Sequence, residues 1–172
     1  WPPKQAQWYI NSQKDEGLRA AHIEPPLGDL YIKTMLRVYA AYEEACNRGG
    51  MVDFAELLLR AHELWLKAPQ VLAHYQDRFR QVLVDEFQDT NTIQYAWLRV
   101  LAGDRIPVVA VGDDDQSIYG WRGAKIENIQ RFGEDFGGTR VVRLEQNYRS
   151  TQTILQAANG VIAHNTGRLG KE

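Results

Sequence analysis

The run Val82-Leu83-Val84-Asp85-Glu86-Phe87-Gln88-Asp89-Thr90 decides how this chain is read. Three apolar residues, two of them β-branched, end abruptly in two adjacent carboxylates. A second run of the same build, Val108-Val109-Ala110-Val111, ends in Gly112-Asp113, and a third, Val141-Val142-Arg143-Leu144, ends in Glu145-Gln146-Asn147. Short, continuous apolar runs of this kind read as strands buried on both faces of a parallel sheet. Helical faces lie between them. Ile93, Ala96, Trp97, Val100 and Leu101 mark one, with Asn91 as its cap and Gly103 at its end. Ile126, Ile129, Phe132 and Phe136 mark the next. Ile154, Leu155, Ala158, Val161 and Ile162 mark a third, starting at Ser150 or Thr151. Strand–helix alternation predicts a doubly wound α/β sheet. Such a sheet binds ligands beyond the carboxyl ends of its strands, and all three ends here are polar.

Upstream the chain reads as helical. Pro2 and Pro3 suit the start of a helix through Trp8, Tyr9 and Ile10. Gly17 and the stretch from His22 to Gly28, with Pro25 and Pro26, read as loop. Tyr31, Met35, Val38, Tyr42 and Ala45 recur at helical spacing as one buried stripe, which Gly49-Gly50 stops. Asp53 with Glu56 resembles a capping box, with Phe54, Leu57, Leu58, Ala61, Leu64 and Trp65 as the apolar face behind it. Pro69 opens a short helix to about Phe79.

Bulk properties narrow the class. The 172 residues are 44% hydrophobic and 24% charged, which fits a packed core rather than disorder. A formal net charge of -2 lacks the basic excess of a dedicated nucleic-acid-binding domain, so any such contact is local. Cys46 stands alone, which rules out a disulfide framework within the chain and suits a reducing cytoplasm. No apolar run approaches membrane-spanning length. The opening Trp1-Pro2-Pro3-Lys4 reads as a cut inside a longer protein. His22, His62, His74 and His164 show no paired metal-ligand spacing.

The strand ends carry the chemistry. At Asp85-Glu86 one carboxylate can hold Mg²⁺ while the other orients or deprotonates an attacking water. The competing reading is an acidic turn that caps the following helix. In Gly112-Asp113-Asp114-Asp115-Gln116-Ser117-Ile118-Tyr119-Gly120-Trp121-Arg122-Gly123, the glycines permit close backbone approach and Gln116 is a neutral group suited to sensing a terminal phosphate. Tyr119 and Trp121, interleaved with Arg122, suit stacking on single-stranded bases. Alternatively the two aromatics are core residues and the acidic run is a solvated turn. Its unbroken spacing lacks the alternation of a calcium loop. In Leu144-Glu145-Gln146-Asn147-Tyr148-Arg149-Ser150-Thr151, Arg149 can stabilise charge on a transferring phosphate and Tyr148 can stack on an adenine. Arg149 can equally bridge Glu145 or a helix end.

These three runs, in this order, together with Val52-Asp53-Phe54-Ala55-Glu56-Leu57-Leu58 and the closing Asn165-Thr166-Gly167-Arg168-Leu169-Gly170, resemble the UvrD/Rep/PcrA-type DNA helicases of superfamily 1. The resemblance implies a partial RecA-like P-loop NTPase domain, a parallel sheet with flanking helices, preceded by a helical segment. Residues 1–45 would be part of subdomain 1B, and residues 46–172 the C-terminal part of motor domain 1A. It implies ATP and Mg²⁺ as cofactors and single-stranded DNA and single/double-strand junctions as partners, with DNA repair proteins as further candidates. Asp85 would hold the metal and Glu86 would be the catalytic base. Gln116 would contact the γ-phosphate, and Tyr119 and Trp121 would stack on DNA bases with Arg122 assisting. Tyr148 would pack on the adenine and Arg149 would reach the γ-phosphate.

No G-x-x-x-x-G-K-[ST] loop occurs in these residues, so the backbone cradle and lysine for the phosphates are not here. The expectation is a fragment of an ATP-dependent 3′-to-5′ helicase that alone binds ATP and Mg²⁺ weakly and turns over little. The strand beside Val82–Val84 that would carry that loop is also missing, which leaves an edge to be covered. Competing readings are the motor part of a helicase–nuclease of the AddA/RecB kind, a non-catalytic DNA-binding module, and a metal-dependent phosphoesterase using Asp85, Glu86 and Asp113. The last leaves Gln116, Trp121 and Arg149 without a role.

Overall fold

The computed structural model describes residues 2–165. Trp1 and residues 166–170 of the closing motif lie outside them. The chain folds into seven helices and a two-stranded sheet among the described residues. Helix α1 (Pro3–Asp15) begins on proline, whose missing N–H costs nothing in a first turn. Helix α2 (Leu30–Gly49) is capped by the Asp29 carboxylate, which accepts from the Ile32 N–H, and ends on left-handed Gly50. Helices α3 (Phe54–Lys67) and α4 (Pro69–Arg78) follow. Strand β1 (Val82–Val84), helix α5 (Thr92–Ala102) and strand β2 (Val108–Ala110) form one β–α–β unit. Helices α6 (Glu127–Asp135) and α7 (Gln152–Ile162) complete the described chain.

The two strands are parallel, with Val82 opposite Val108, Leu83 opposite Val109 and Val84 opposite Ala110. Their carboxyl ends therefore lie side by side. One face of the sheet is the core: Val82, Val84, Val108 and Ala110 pack on Phe87, Tyr95 and Leu98, joined by Ile129, Phe132 and Phe136 of the α6 region. Ile10 of α1, Met35, Leu36 and Tyr39 of α2, and Leu59 and Trp65 of α3 are also buried, and α1 packs against both α2 and α3. Trp65 stacks on Trp97 of α5 at 4.5 Å between ring centroids, which ties α3 to the β–α–β unit.

Several sequence expectations need correction. The strands are not buried on both faces: Leu83 is 65% exposed, because alternate residues of a pleat point to opposite sides and helices cover only one. The run Val141–Leu144 forms no strand. Among the described residues it has no ladder partner, and Leu144 is 86% exposed. β-Branched residues fit a half-buried pleat rather than impose one, and among the described residues no strand pairs with this run. The observed class is thus a helix-rich α/β arrangement around a small parallel sheet. The α2 stripe is rotated: Met35, Leu36 and Tyr39 are buried, while Val38 and Ala45 face outward. On α3, Leu59, Trp65 and Glu56 turn inward and Phe54 is 93% exposed. The buried carboxylate of Glu56 explains that shift, since α3 orients toward the cations that pair with it. The apolar side chains of α7 lie mostly exposed.

Those cations are Lys14 and Arg19. Lys14 Nζ, 2% exposed, lies 2.7 Å from Asp53 Oδ2 and 2.9 Å from Glu56 Oε2. Arg19 Nη1 reaches Glu56 Oε1 at 2.7 Å and Glu43 Oε1 at 3.1 Å, and its Nε reaches Glu63 Oε1 at 2.7 Å. Asp53 does cap α3, accepting from the Glu56 N–H at 2.7 Å. The reciprocal half of a capping box is absent because the Glu56 side chain serves Lys14, Arg19 and Arg60 instead.

Candidate active site at the strand ends

The Asp85-Glu86 pair sits where β1 ends, with both side chains exposed. The Asp85 Oδ1 accepts from the Glu86 N–H at 2.9 Å. Glu86 adopts a left-handed conformation (φ 49°, ψ 44°), the one non-glycine residue with positive φ among the described residues. Such a conformation is unfavourable for a residue with a Cβ and is held by its surroundings. Here the holding is visible. The Phe87 N–H donates to Val111 O at 2.9 Å and the Val111 N–H to Val84 O at 2.8 Å, which extends the ladder past both strands. A single 3-10 turn, Phe87–Asp89, then drops Phe87 into the core. The carboxylates do not cap a helix: the cap of α5 is Asn91, in a complete capping box with Gln94.

The second loop leaves β2 beside the first. Asp113 caps a 3-10 turn, Asp114–Gln116, accepting from the Asp115 N–H at 3.0 Å, and its Oδ2 accepts from Gln116 Nε2 at 2.9 Å. Carboxylate oxygens of Asp113, Asp114 and Asp115 lie within 4.8 Å of one another, closer than the unbroken spacing suggests. Gln88 bridges the two loops. Its Nε2 donates to Glu86 Oε2 at 2.6 Å and its Oε1 accepts from the Asp113 N–H at 3.0 Å.

Beyond Gln116 the chain presents its aromatics. Trp121 is 72% exposed, which removes it from any core, and Tyr119 is half-buried. The Arg122 guanidinium lies 5.1 Å from the Tyr119 ring centroid and 4.7 Å from that of Trp121, so one cation is held against both rings. The end of this loop is anchored to the acidic loop and to α1. The Lys125 N–H donates to Thr90 O at 2.9 Å, and the buried Asn128 side chain donates to Thr90 O and Thr90 Oγ1, both at 3.1 Å. Lys125 Nζ pairs with Glu16 at 2.8 Å, and Asn91 Nδ2 donates to Asp15 Oδ1 at 2.9 Å. Burial disfavours the Glu16 carboxylate, but bonds from Lys125 and Thr92 outweigh that and hold its pKa below the usual range. Asp15 goes the other way, raised by burial and by the Glu16 charge.

The structure thus brings Asp85, Glu86 and Gln116 to one end of the sheet, with Tyr119, Trp121 and Arg122 on the same loop as Gln116. It does not bring Tyr148 and Arg149 there. Both are exposed on a stretch without ladder bonds, and among the described residues neither is hydrogen-bonded or ion-paired to Asp85, Glu86 or Gln116. Tyr148 donates to Gln146 Oε1 at 2.9 Å, and the Arg149 N–H donates to Asn147 Oδ1. Gln88, Asn128 and Asp15 escaped sequence reasoning. A signal existed only for Gln88, a polar residue directly after the core residue Phe87.

Oxygen donors at the strand ends fit a small hard cation: Asp85 and Glu86 are adjacent, exposed carboxylates with oxygens still open to a ligand. Residues 1–137 match the family model described as UvrD/REP helicase N-terminal domain. The whole chain is 67% identical over 172 residues to DNA helicase II of Escherichia coli, covering 24% of that protein. It is 58% identical over 171 residues to DNA helicase II of Haemophilus influenzae, covering 99% of this chain and 23% of that one. It is 42% identical over 172 residues to the ATP-dependent DNA helicase PcrA of Leuconostoc citreum, covering all of this chain and 23% of that protein. The chain spans about a quarter of the length of these curated relatives. By model match and by identity across its full length, the chain belongs to the UvrD/REP helicase family.

Proposed function

We propose that this chain is part of an ATP-driven motor that moves 3′ to 5′ along single-stranded DNA, serving repair or replication in the cytoplasm. Residues 1–45 belong on this reading to subdomain 1B and residues 46–172 to a RecA-like motor domain 1A, with the boundary inside α2. Asp85 holds Mg²⁺, which when bound neutralises phosphate charge, and Glu86 takes the proton of the attacking water. Gln116 contacts the γ-phosphate. Tyr119 and Trp121 stack on bases, with Arg122 between them. Tyr148 and Arg149 approach the nucleotide in the complete protein, where a second motor domain closes the cleft. ATP and DNA junctions are the corresponding ligands.

The observation that supports this most strongly is the union of two chemistries in one continuous segment. Gln116 is hydrogen-bonded into the acidic strand-end cluster, and Tyr119, Trp121 and Arg122, only three to six residues on, form an aromatic–cation cluster that leaves Trp121 exposed. A phosphate-sensing group and a base-stacking platform so joined suit coupling of hydrolysis to movement. The direct check is Glu86→Gln in the full-length protein. The expected result is loss of ATPase by on the order of 10²–10⁴, the usual contribution of a general base, with single-stranded DNA binding retained. Unchanged turnover removes Glu86 from the chemistry.

A further inference from the structure

Gln88 is 1% exposed and among the largest fully buried side chains, yet it is polar. Both ends of its amide are used. The Glu86 carboxylate can only accept and the Asp113 N–H can only donate, so the amide has one orientation that satisfies both: Nε2 toward Glu86 at 2.6 Å, Oε1 toward Asp113 at 3.0 Å. From Asp113 the path continues through Oδ2 to Gln116 Nε2 at 2.9 Å. A hydrogen-bonded relay therefore runs from the carboxylate at the end of β1 to the glutamine on the loop after β2. The fold makes room for it. A Cβ on Gly112 would stand 2.8 Å from Gln88 Oε1 and 3.2 Å from the Phe87 nitrogen, so the loop approaches this closely only with glycine there. Glu86 itself sits in the left-handed region, a geometry that needs support.

We infer that Gln88 is a positioning residue that fixes the Glu86 carboxylate and links its placement to the Gln116 loop. This rests on the motor reading above. A change in the Gln116 loop shifts Asp113, and Gln88 passes that shift to Glu86 with no intervening solvent. Among side chains, glutamine combines this length with an amide that donates at one atom and accepts at the other without titrating near neutral pH. Glutamate keeps the bond from the Asp113 N–H but places a second carboxylate against Glu86. Methionine keeps the volume and supplies neither bond.

The test uses the full-length protein with Gln88→Met, Gln88→Glu, Gln116→Ala and the double variant Gln88→Met/Gln116→Ala, assayed for ATPase with and without oligo-dT. Expected for both Gln88 variants is a fall in DNA-stimulated kcat on the order of 10–100-fold, as when a hydrogen bond orienting a catalytic group is lost. KM for ATP should stay within about twofold, because substrate binding is not what the relay serves. The double variant should fall no further than the worse single one, since both break one path. Multiplying effects, or wild-type kcat in both Gln88 variants, would overturn the relay while leaving the motor reading intact. If Gln88→Met fails to fold, Gln88→Glu decides, because it retains the Asp113 contact. A wild-type protein without DNA-stimulated turnover sinks the motor reading and the relay together.

Discussion

Trp121 shows what a single side chain contributes and what it does not. Being largely exposed, it adds little to the core, so Trp121→Ala should leave thermal stability within about 0.5 kcal/mol of the wild type. In the full-length protein the same change should weaken single-stranded DNA binding by roughly 1–3 kcal/mol, the worth of one base–aromatic stack, read by fluorescence anisotropy. A large loss of stability with unchanged DNA affinity would place Trp121 in the fold instead. Gly112→Ala is the opposite kind of change. Its Cβ has no room beside Gln88 and the Phe87 backbone, and overpacking there should cost about 1–3 kcal/mol by urea denaturation. Asp85, Glu86, Gln116, Tyr119, Trp121 and Arg122 are legible in the sequence because carboxylates, amide and aromatics declare their chemistry by type and order. Gln88 stayed hidden because its role depends on two partners, one of them 25 positions away, that only the parallel pairing of β1 and β2 brings together.

At the scale of elements, local signals near caps were legible and faces were less so. Pro3, Gly50 and Asn91 mark helix ends as the sequence predicts, since cap chemistry is local. The buried faces of α2 and α3 were legible only in part: Met35 and Trp65 are buried as expected, but Val38 and Phe54 are exposed, because ion pairing and not apolar periodicity alone orients α3. Glu56 is the centre of that pairing. Glu56→Leu should destabilise the chain by about 1.5–3 kcal/mol, the worth of a charged hydrogen bond, because Lys14 and Arg19 lose their shared partner while Asp53, Glu43 and Glu63 still pair with them. The same cluster sets an acid limit. Burial opposes ionisation of Asp53 and Glu56, but Lys14, Arg19 and Arg60 more than offset it, and both carboxyls titrate below their ordinary range. Glu63, bonded by Arg19, is lowered too. With folded pKa values depressed, the unfolded chain binds more protons in acid. The stabilisation is therefore complete above the ordinary carboxyl range of about 3.9–4.3 and is lost as pH falls through the lower folded values. Urea midpoints should hold steady from neutrality to about pH 5 and drop below about pH 4, and Glu56→Gln should reduce that drop. A midpoint indifferent to acid would mean the cluster is not the bond between α1, α2 and α3 that its distances imply.

For the whole molecule, the parallel pair β1–β2 was legible, whereas the third apolar run does not form the strand its composition predicts. Val141–Leu144 has the composition of a strand, but a strand also needs an edge to join, and the bare face at Leu83 shows how little of a larger sheet this chain encloses. With about a quarter of its relatives' length and no phosphate-cradling glycine–lysine loop in its sequence, the isolated 172-residue chain is expected to hydrolyse ATP negligibly. Robust turnover by the purified chain would contradict that. On the motor reading, the strand-end carboxylates and the aromatic–cation cluster are two halves of one coupled device. The most direct measurement is the ATPase rate of the full-length protein with and without single-stranded DNA, at low and moderate salt. Strong stimulation by DNA is the predicted result. A rate near zero in both conditions would contradict it and leave a DNA-binding module whose Asp85, Glu86 and Arg149 take no part in catalysis.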